Sequence, residues 1–128
     1  MQKGIKSLLK GKGPKIIAIL LTAIIAILSL MRIANQSISF KHIDKLEHAF
    51  AYFMLTFFWL ASFLKANQLY KLIICLVCIL FGILIEVLQG ITGYRTFDFA
   101  DMLANSVGAL TGLLIFNLFV KNSNLFSK

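Results

Sequence analysis

Three ionisable side chains in this otherwise apolar chain could carry acid–base chemistry: His48, Glu86 and Asp101. A histidine can act as a general base and a carboxyl group as a general acid, and a mixed histidine–carboxylate site can also bind a divalent metal ion. Arg95 could hold an anionic group beside them, because its planar guanidinium binds carboxylate or phosphate with two hydrogen bonds. Whether these side chains meet depends on the helices that carry them.

The first polar stretch, FKHIDKLEHAFAY, leads into an apolar run and carries polar residues at helical spacing. Asp44, His48 and Tyr52 are each four residues apart, so they share one face of a predicted helix. Asp44 suits the N-cap of this helix, with Glu47 three residues later completing a capping box; a functional role for Asp44 is the alternative. His48 lies one turn inside the helix, where a packing role and a functional role both fit.

The second polar stretch opens the last apolar run. Asp98 is predicted to cap the start of that helix. Asp101 and Asn105 are four residues apart, and Gly108 and Gly112 continue the same line. Glycines at four-residue spacing let another helix approach closely, so this face is predicted to pack on a neighbour and to carry Asp101 and Asn105 into the protein interior.

Glu86 lies near the end of the third apolar run, where the helix dipole disfavours an anion. An ionisable residue within a span costs about 2.5–3.5 kcal/mol and is a functional hypothesis by default. We predict that Glu86 pairs with Arg95 in the short loop that follows. Gln89, three residues after Glu86, could bridge to Asn105. Both a polar clasp that only fixes helix packing and a functional site built on such a clasp remain open.

The elements that must position these residues are four apolar runs, at residues 16–31, 49–64, 72–88 and 102–120. The chain is 59% hydrophobic and 14% charged, whereas a soluble domain carries roughly 25% charged residues. Lipid-buried backbone must be bonded internally, and runs this continuous lack the alternation of a membrane barrel. We therefore predict an all-α, four-helix transmembrane bundle with spans near 15–33, 44–64, 70–90 and 99–120.

The distribution of charge predicts how these spans are oriented. Nine of the thirteen Lys and Arg residues fall on the side of the two termini, so both termini are predicted to be cytoplasmic. The chain is predicted to divide into a basic arm at 1–14, one membrane domain at 15–120 and a short tail at 121–128. The arm is expected to lie against anionic headgroups. The first span is longer than the apolar core of a signal peptide and is predicted to be retained. All five acidic residues lie on or toward the outer side: Asp44, Glu47, Glu86, Asp98 and Asp101.

The order of these motifs resembles the VanZ-like family. The resemblance covers residues 44–120 and rests on D-K-x-x-H-x-x-x-Y, E-x-x-Q, a following Arg, and D-x-x-x-N-x-x-G-x-x-x-G. It implies a small polytopic protein of the bacterial cytoplasmic membrane. The family's namesake is linked to resistance against teicoplanin, a glycopeptide antibiotic. The resemblance therefore informs fold and location more than reaction.

Three functions compete on these residues. The first is an outer polar cluster that binds a headgroup, either of a lipid-linked cell-wall precursor or of a lipidated glycopeptide. The second is a membrane enzyme with His48, Glu86 and Asp101 as catalytic candidates, and the third is a structural clasp. The predicted cluster comprises Asp44, Lys45, His48, Tyr52, Glu86, Gln89, Arg95, Asp101 and Asn105, with Gly108 and Gly112 for helix packing.

Partners and cofactors follow from the same composition. Membrane lipids are the expected partners. The net charge of +8 does not indicate nucleic-acid binding, because the basic residues flank apolar runs. Cys75 and Cys78 lie in an apolar run without a neighbouring histidine and are predicted to be membrane-buried thiols. No cofactor and no bound metal are predicted, and the sequence leaves the oligomeric state open.

Overall fold

The apolar runs of the sequence form helices throughout the part of the chain that the structure describes. The computed structural model describes residues 2–31, 41–93 and 96–123, in which there is no β-strand. The helices are α1 (Gln2–Lys10), α2 (Gly13–Leu30), α3 (Lys41–Ser62), α4 (Gln68–Thr92) and α5 (Phe99–Asn122). Arg95 lies outside the described residues, so the predicted pair between Arg95 and Glu86 stays a prediction.

Local signals in the sequence set several of these helix boundaries. Pro14 lies in the first turn of α2, where its missing N–H is not needed. Asn67 caps α4 by accepting a hydrogen bond from the Tyr70 N–H at 3.0 Å. Gly93 ends α4 with φ of 71°, a left-handed conformation that glycine adopts without a Cβ penalty. Asp98 Oδ1 accepts from the Ala100 N–H at 2.9 Å, so the predicted cap of α5 is confirmed.

One prediction about a helix start is wrong. α3 begins at Lys41, three residues before Asp44, so Asp44 lies in the first helical turn and is not the N-cap. The charged residues ahead of the apolar run continue the helix instead of preceding it, and Asp44 still gains from the positive end of the helix dipole. The N-terminal arm, to which the sequence assigned no structure, contains α1.

Three of the four predicted membrane spans are supported directly. α2, α4 and α5 are long and apolar enough to cross a membrane. Many of their large side chains face outward, including Leu76, Leu80 and Leu84, which are each more than half exposed. Such a surface suits lipid contact better than water. α3 is also long, but its first turns carry the charged residues of the first polar stretch, and its membrane crossing stays a prediction.

α3 is the central element, because it contacts α2, α4 and α5 and packs most extensively against α5. The contacts bring the start of one helix beside the end of another. Lys71 Nζ, near the start of α4, donates to Asn117 Oδ1 near the end of α5 at 3.3 Å. At the opposite end, the first turns of α3 and α5 meet the last turns of α2 and α4. The polar residues of both stretches therefore collect at one end of the molecule.

Candidate functional site

Lys45 links the first turns of α3 and α5. Its Nζ donates to Asp98 Oδ2 at 2.6 Å and to Asp101 Oδ1, and it lies 3.7 Å from Asp44 Oδ2. Asp101 is buried, whereas Asp98 and Lys45 remain partly exposed. The Lys45 ammonium group therefore offsets part of the free-energy cost of removing the Asp101 carboxylate from water.

His48 lies between two acids and one amide. Its Nδ1 is 3.0 Å from Asn105 Oδ1, a hydrogen-bond distance. Its Nε2 is 3.7 Å from both Asp44 Oδ1 and Asp101 Oδ2, which is an ion-pair separation and too long for a good hydrogen bond. The His48 imidazole thus links Asp44, one turn earlier on α3, to Asp101 and Asn105 on α5.

Close contact between α3 and α5 makes these interactions possible. Gly108 lies so near α3 that a Cβ built on it would be 2.1 Å from the Ala49 carbonyl oxygen. A Cβ built on Gly112 would likewise be 2.8 Å from the Phe53 carbonyl oxygen. The predicted packing role of both glycines fits this geometry. Because Ala49 follows His48 directly, the absence of a side chain at Gly108 lets the imidazole reach Asn105.

Glu86 is buried and binds the protein backbone. Its Oε1 accepts a hydrogen bond from the Asp98 N–H at 3.0 Å, which ties the end of α4 to the start of α5. The orphan N–H groups at a helix start are good partners for a carboxylate. This role was missed from the sequence, because no spacing rule relates Glu86 to a backbone amide twelve residues later.

Gln89 does not bridge to Asn105 as predicted. Its Nε2 donates to the Ser29 carbonyl oxygen in the last turn of α2, at 2.9 Å. The last carbonyls of a helix have no partner within the helix, so the Gln89 amide satisfies one of them. Gln89 therefore fastens α4 to α2, and Asn105 is left to bond His48.

Tyr52 is buried against α4, although it shares a helix face with Asp44 and His48. Its ring packs on α4, where a Cβ at Gly82 would be 2.9 Å from the ring. Its hydroxyl group has no hydrogen-bond partner within the described ranges. Cys75 and Cys78 are also buried on α4, as free thiols. These residues belong to the core.

Six side chains thus form one connected group, which we call the α3–α5 polar cluster: Asp44, Lys45, His48, Asp98, Asp101 and Asn105. Asp44, Lys45 and Asp98 form a partly exposed rim, and Asp101 and Asn105 form a buried floor. Among the side chains that the structure describes, the cluster has three carboxylates and one ammonium group. It can therefore accept hydrogen bonds at its rim, move a proton through His48, or hold a cation.

Comparison with known proteins identifies the class to which this helical arrangement belongs. The model of the family described as VanZ/LLP1 matches residues 7–120. The chain therefore belongs to the VanZ/LLP1 family, as the motif resemblance implied. The match also covers the end of α1, from residue 7, and all of α2, which precede the motifs.

A fission yeast protein is also similar to this chain. Uncharacterized protein C11E3.10 of Schizosaccharomyces pombe is 41% identical over 83 residues, which are 61% of this chain and 49% of the yeast protein. The chain thus spans about half the length of this curated relative. No solved structure matches the chain.

Proposed function

We propose that the chain is a four-span protein of the bacterial cell envelope whose α3–α5 polar cluster binds the polar headgroup of a lipid-linked ligand at the outer leaflet. The excess of Lys and Arg on the side of the termini supports this orientation. The sequence resemblance supports the envelope setting, while the yeast relative shows that similar sequences also occur outside bacteria.

The observation that carries this proposal is the division of the cluster into an exposed rim and a buried floor. Asp44 and Asp98 side chains are 34% and 42% exposed, while Asp101 and Asn105 hold His48 and Lys45 in place beneath them. A functional site needs contacting groups that are held by buried supporting groups.

The charge of the rim favours a ligand rich in hydrogen-bond donors. Lys45 already donates to Asp98 and Asp101, so it has little capacity left for a phosphate or carboxylate. Sugar hydroxyls, amines and amides would instead donate to Asp44 and Asp98. A glycopeptide or the sugar–peptide headgroup of a lipid-linked cell-wall precursor has these groups. The anionic ligand expected from Lys45 and Arg95 is therefore less suitable than a donor-rich one.

The test is a titration of the protein in lipid nanodiscs, followed by native mass spectrometry. The probes are an undecaprenyl-linked disaccharide pentapeptide, teicoplanin, and undecaprenyl phosphate as the control that has the lipid but lacks the donor-rich headgroup. We expect saturable binding of the first probe or of teicoplanin, and at least tenfold weaker binding of undecaprenyl phosphate. Equal binding of all three probes would contradict headgroup recognition.

A matched pair of variants locates the binding site. Asp44→Asn removes one rim carboxylate without changing its shape, and we expect about tenfold weaker binding of the headgroup probe. Glu47→Gln removes the same charge from an exposed position in the same part of α3 and should leave binding within about twofold. If the two variants weaken binding equally, the cluster is not the site.

A membrane enzyme is the second candidate, and the position of His48 favours it. Nε2 lies 3.7 Å from the Asp101 carboxylate while Nδ1 bonds Asn105, which is an arrangement that orients an imidazole for proton transfer. Glu86 fits the acid role less well, because its Oε1 accepts from the Asp98 backbone. Conversion of the precursor probe, followed by liquid chromatography and mass spectrometry, should be lost in His48→Gln; equal turnover in the variant would refute catalysis.

A purely structural clasp is the third candidate. On this account Asp44→Asn and His48→Gln would change only the free energy of unfolding, and neither headgroup binding nor turnover would be observed with wild-type protein. The nanodisc titration and the conversion assay together separate the three candidates, because each candidate predicts a different combination of binding and conversion.

A further inference from the structure

We propose that Asp44, His48 and Asp101 form a binding site for a divalent cation of the Mn²⁺ or Zn²⁺ type. The sequence interpretation predicted no metal here, and the inference does not depend on headgroup binding. It rests on the positions of three donor atoms and on the orientation of the imidazole.

The donor atoms are already spaced as ligands of one ion would be. One ligand atom from each of the three residues lies within 4.8 Å of the others. His48 Nε2 is 3.7 Å from Asp44 Oδ1 and from Asp101 Oδ2. Ligands bound at about 2.0–2.2 Å are roughly 3–4 Å apart, so small side-chain rotations would place all three around one ion. An imidazole with two carboxylates suits zinc and manganese.

The imidazole is oriented as a metal ligand. Asn105 is buried, and its Oδ1 lies 3.0 Å from His48 Nδ1. If the Nδ1–H donates to this oxygen, Nε2 carries a lone pair that faces both carboxylates. Metal-bound histidines generally donate their other ring N–H to an oxygen in this way. A cation bound at Nε2 would lie beside both carboxylates.

Lys45 and His48 face different oxygens of the same two carboxylates. Lys45 lies against Asp44 Oδ2 and Asp101 Oδ1, whereas His48 faces Asp44 Oδ1 and Asp101 Oδ2. Each carboxylate thus directs one oxygen to the ammonium group and the other to the imidazole.

The half-buried position of Asp44 gives an ion access from the membrane surface, with water filling its remaining coordination positions. A bound ligand could also supply these oxygens, which would allow a sugar or phosphate group to bridge to the protein. The buried carboxylate of Asp101 anchors the ion from below. Three protein ligands with open positions are the usual composition of a reactive metal site, while structural sites are closed.

The test uses purified, chelator-treated protein in detergent and Mn²⁺ alone, with no lipid-linked ligand. Free Mn²⁺ is followed by electron paramagnetic resonance during a titration. We expect one bound ion per chain, displaced by Zn²⁺. Asp44→Asn and His48→Gln should each weaken binding by about tenfold to a hundredfold or more, and Glu47→Gln should leave it within about twofold.

Asp44 is partly exposed, so its variant should fold even if His48→Gln does not, and Trp59 fluorescence with size-exclusion chromatography checks this. An absence of saturable Mn²⁺ binding would overturn the proposal. Unchanged binding in folded Asp44→Asn would overturn it as well, because the ion would then be bound elsewhere. Because no lipid is present, a failure here leaves the headgroup titration unaffected.

Discussion

Replacing Gly108 with alanine tests whether the contact between α3 and α5 positions the cluster. The new Cβ would lie 2.1 Å from the Ala49 carbonyl oxygen and 2.8 Å from its carbonyl carbon. Ordinary contacts are 3.4–4 Å, so the two helices would have to separate by roughly 1 Å or more. Both of the contacted atoms belong to the backbone, so no side-chain rotation can relieve the clash.

The expected cost is about 1–3 kcal/mol of unfolding free energy, the usual range for an overpacked site. Circular dichroism during titration with sodium dodecyl sulfate in mixed micelles measures it. Gly112→Ala should cost less, because its closest contact would be 2.8 Å from the Phe53 carbonyl oxygen. Gly4→Ala is the matched control, since a Cβ at Gly4 meets nothing within 4 Å. The reasoning would be refuted if Gly108→Ala were as stable as wild type, or if it were less destabilised than Gly112→Ala.

Three further predictions concern the contacts around the cluster. Lys45→Met should cost about 1–3 kcal/mol in the same unfolding assay, because buried Asp101 loses its ammonium partner; a neutral result would show that the ion pair adds no stability. Glu86→Leu should cost about 1–3 kcal/mol by removing the acceptor of the Asp98 N–H, whereas Glu86→Gln keeps an oxygen and should cost less; equal losses would contradict this role. In anionic nanodiscs, α1 should be better protected from amide exchange than in zwitterionic ones, because each lysine contributes about 1 kcal/mol of attraction to anionic headgroups. Replacing Lys6 and Lys10 with glutamine should abolish this additional protection; unchanged protection would rule out contact between α1 and anionic headgroups.

Hydrophobic patterning predicted the long helices, because the backbone of a long apolar run in a bilayer must form its hydrogen bonds internally, and a helix does this. The starts of α1 and α3 were missed for a related reason. Their first residues are polar or basic, and apolar patterning gives no signal there. The α1 helix is amphipathic instead of continuously apolar, and the helical spacing of Ile5, Leu8 and Leu9 was the signal that could have revealed it.

The face of α5 was predictable, because Asp101, Asn105 and the glycines share one helical line. The contact of His48 with Asn105 on that face was not predicted. The partners of Lys45, Glu86 and Gln89 were not predictable. Each bonds a group on another helix whose position depends on tertiary packing, and two of those groups are backbone atoms that carry no sequence signal.

The most direct test of the central claim is a nanodisc structure determined with the undecaprenyl-linked disaccharide pentapeptide bound. The account predicts headgroup density within hydrogen-bonding distance of the Asp44 and Asp98 carboxylates, above the buried Asp101 and Asn105 side chains. Density at the opposite end of the molecule, near Lys71 and Asn117, with none at the α3–α5 polar cluster, would contradict it.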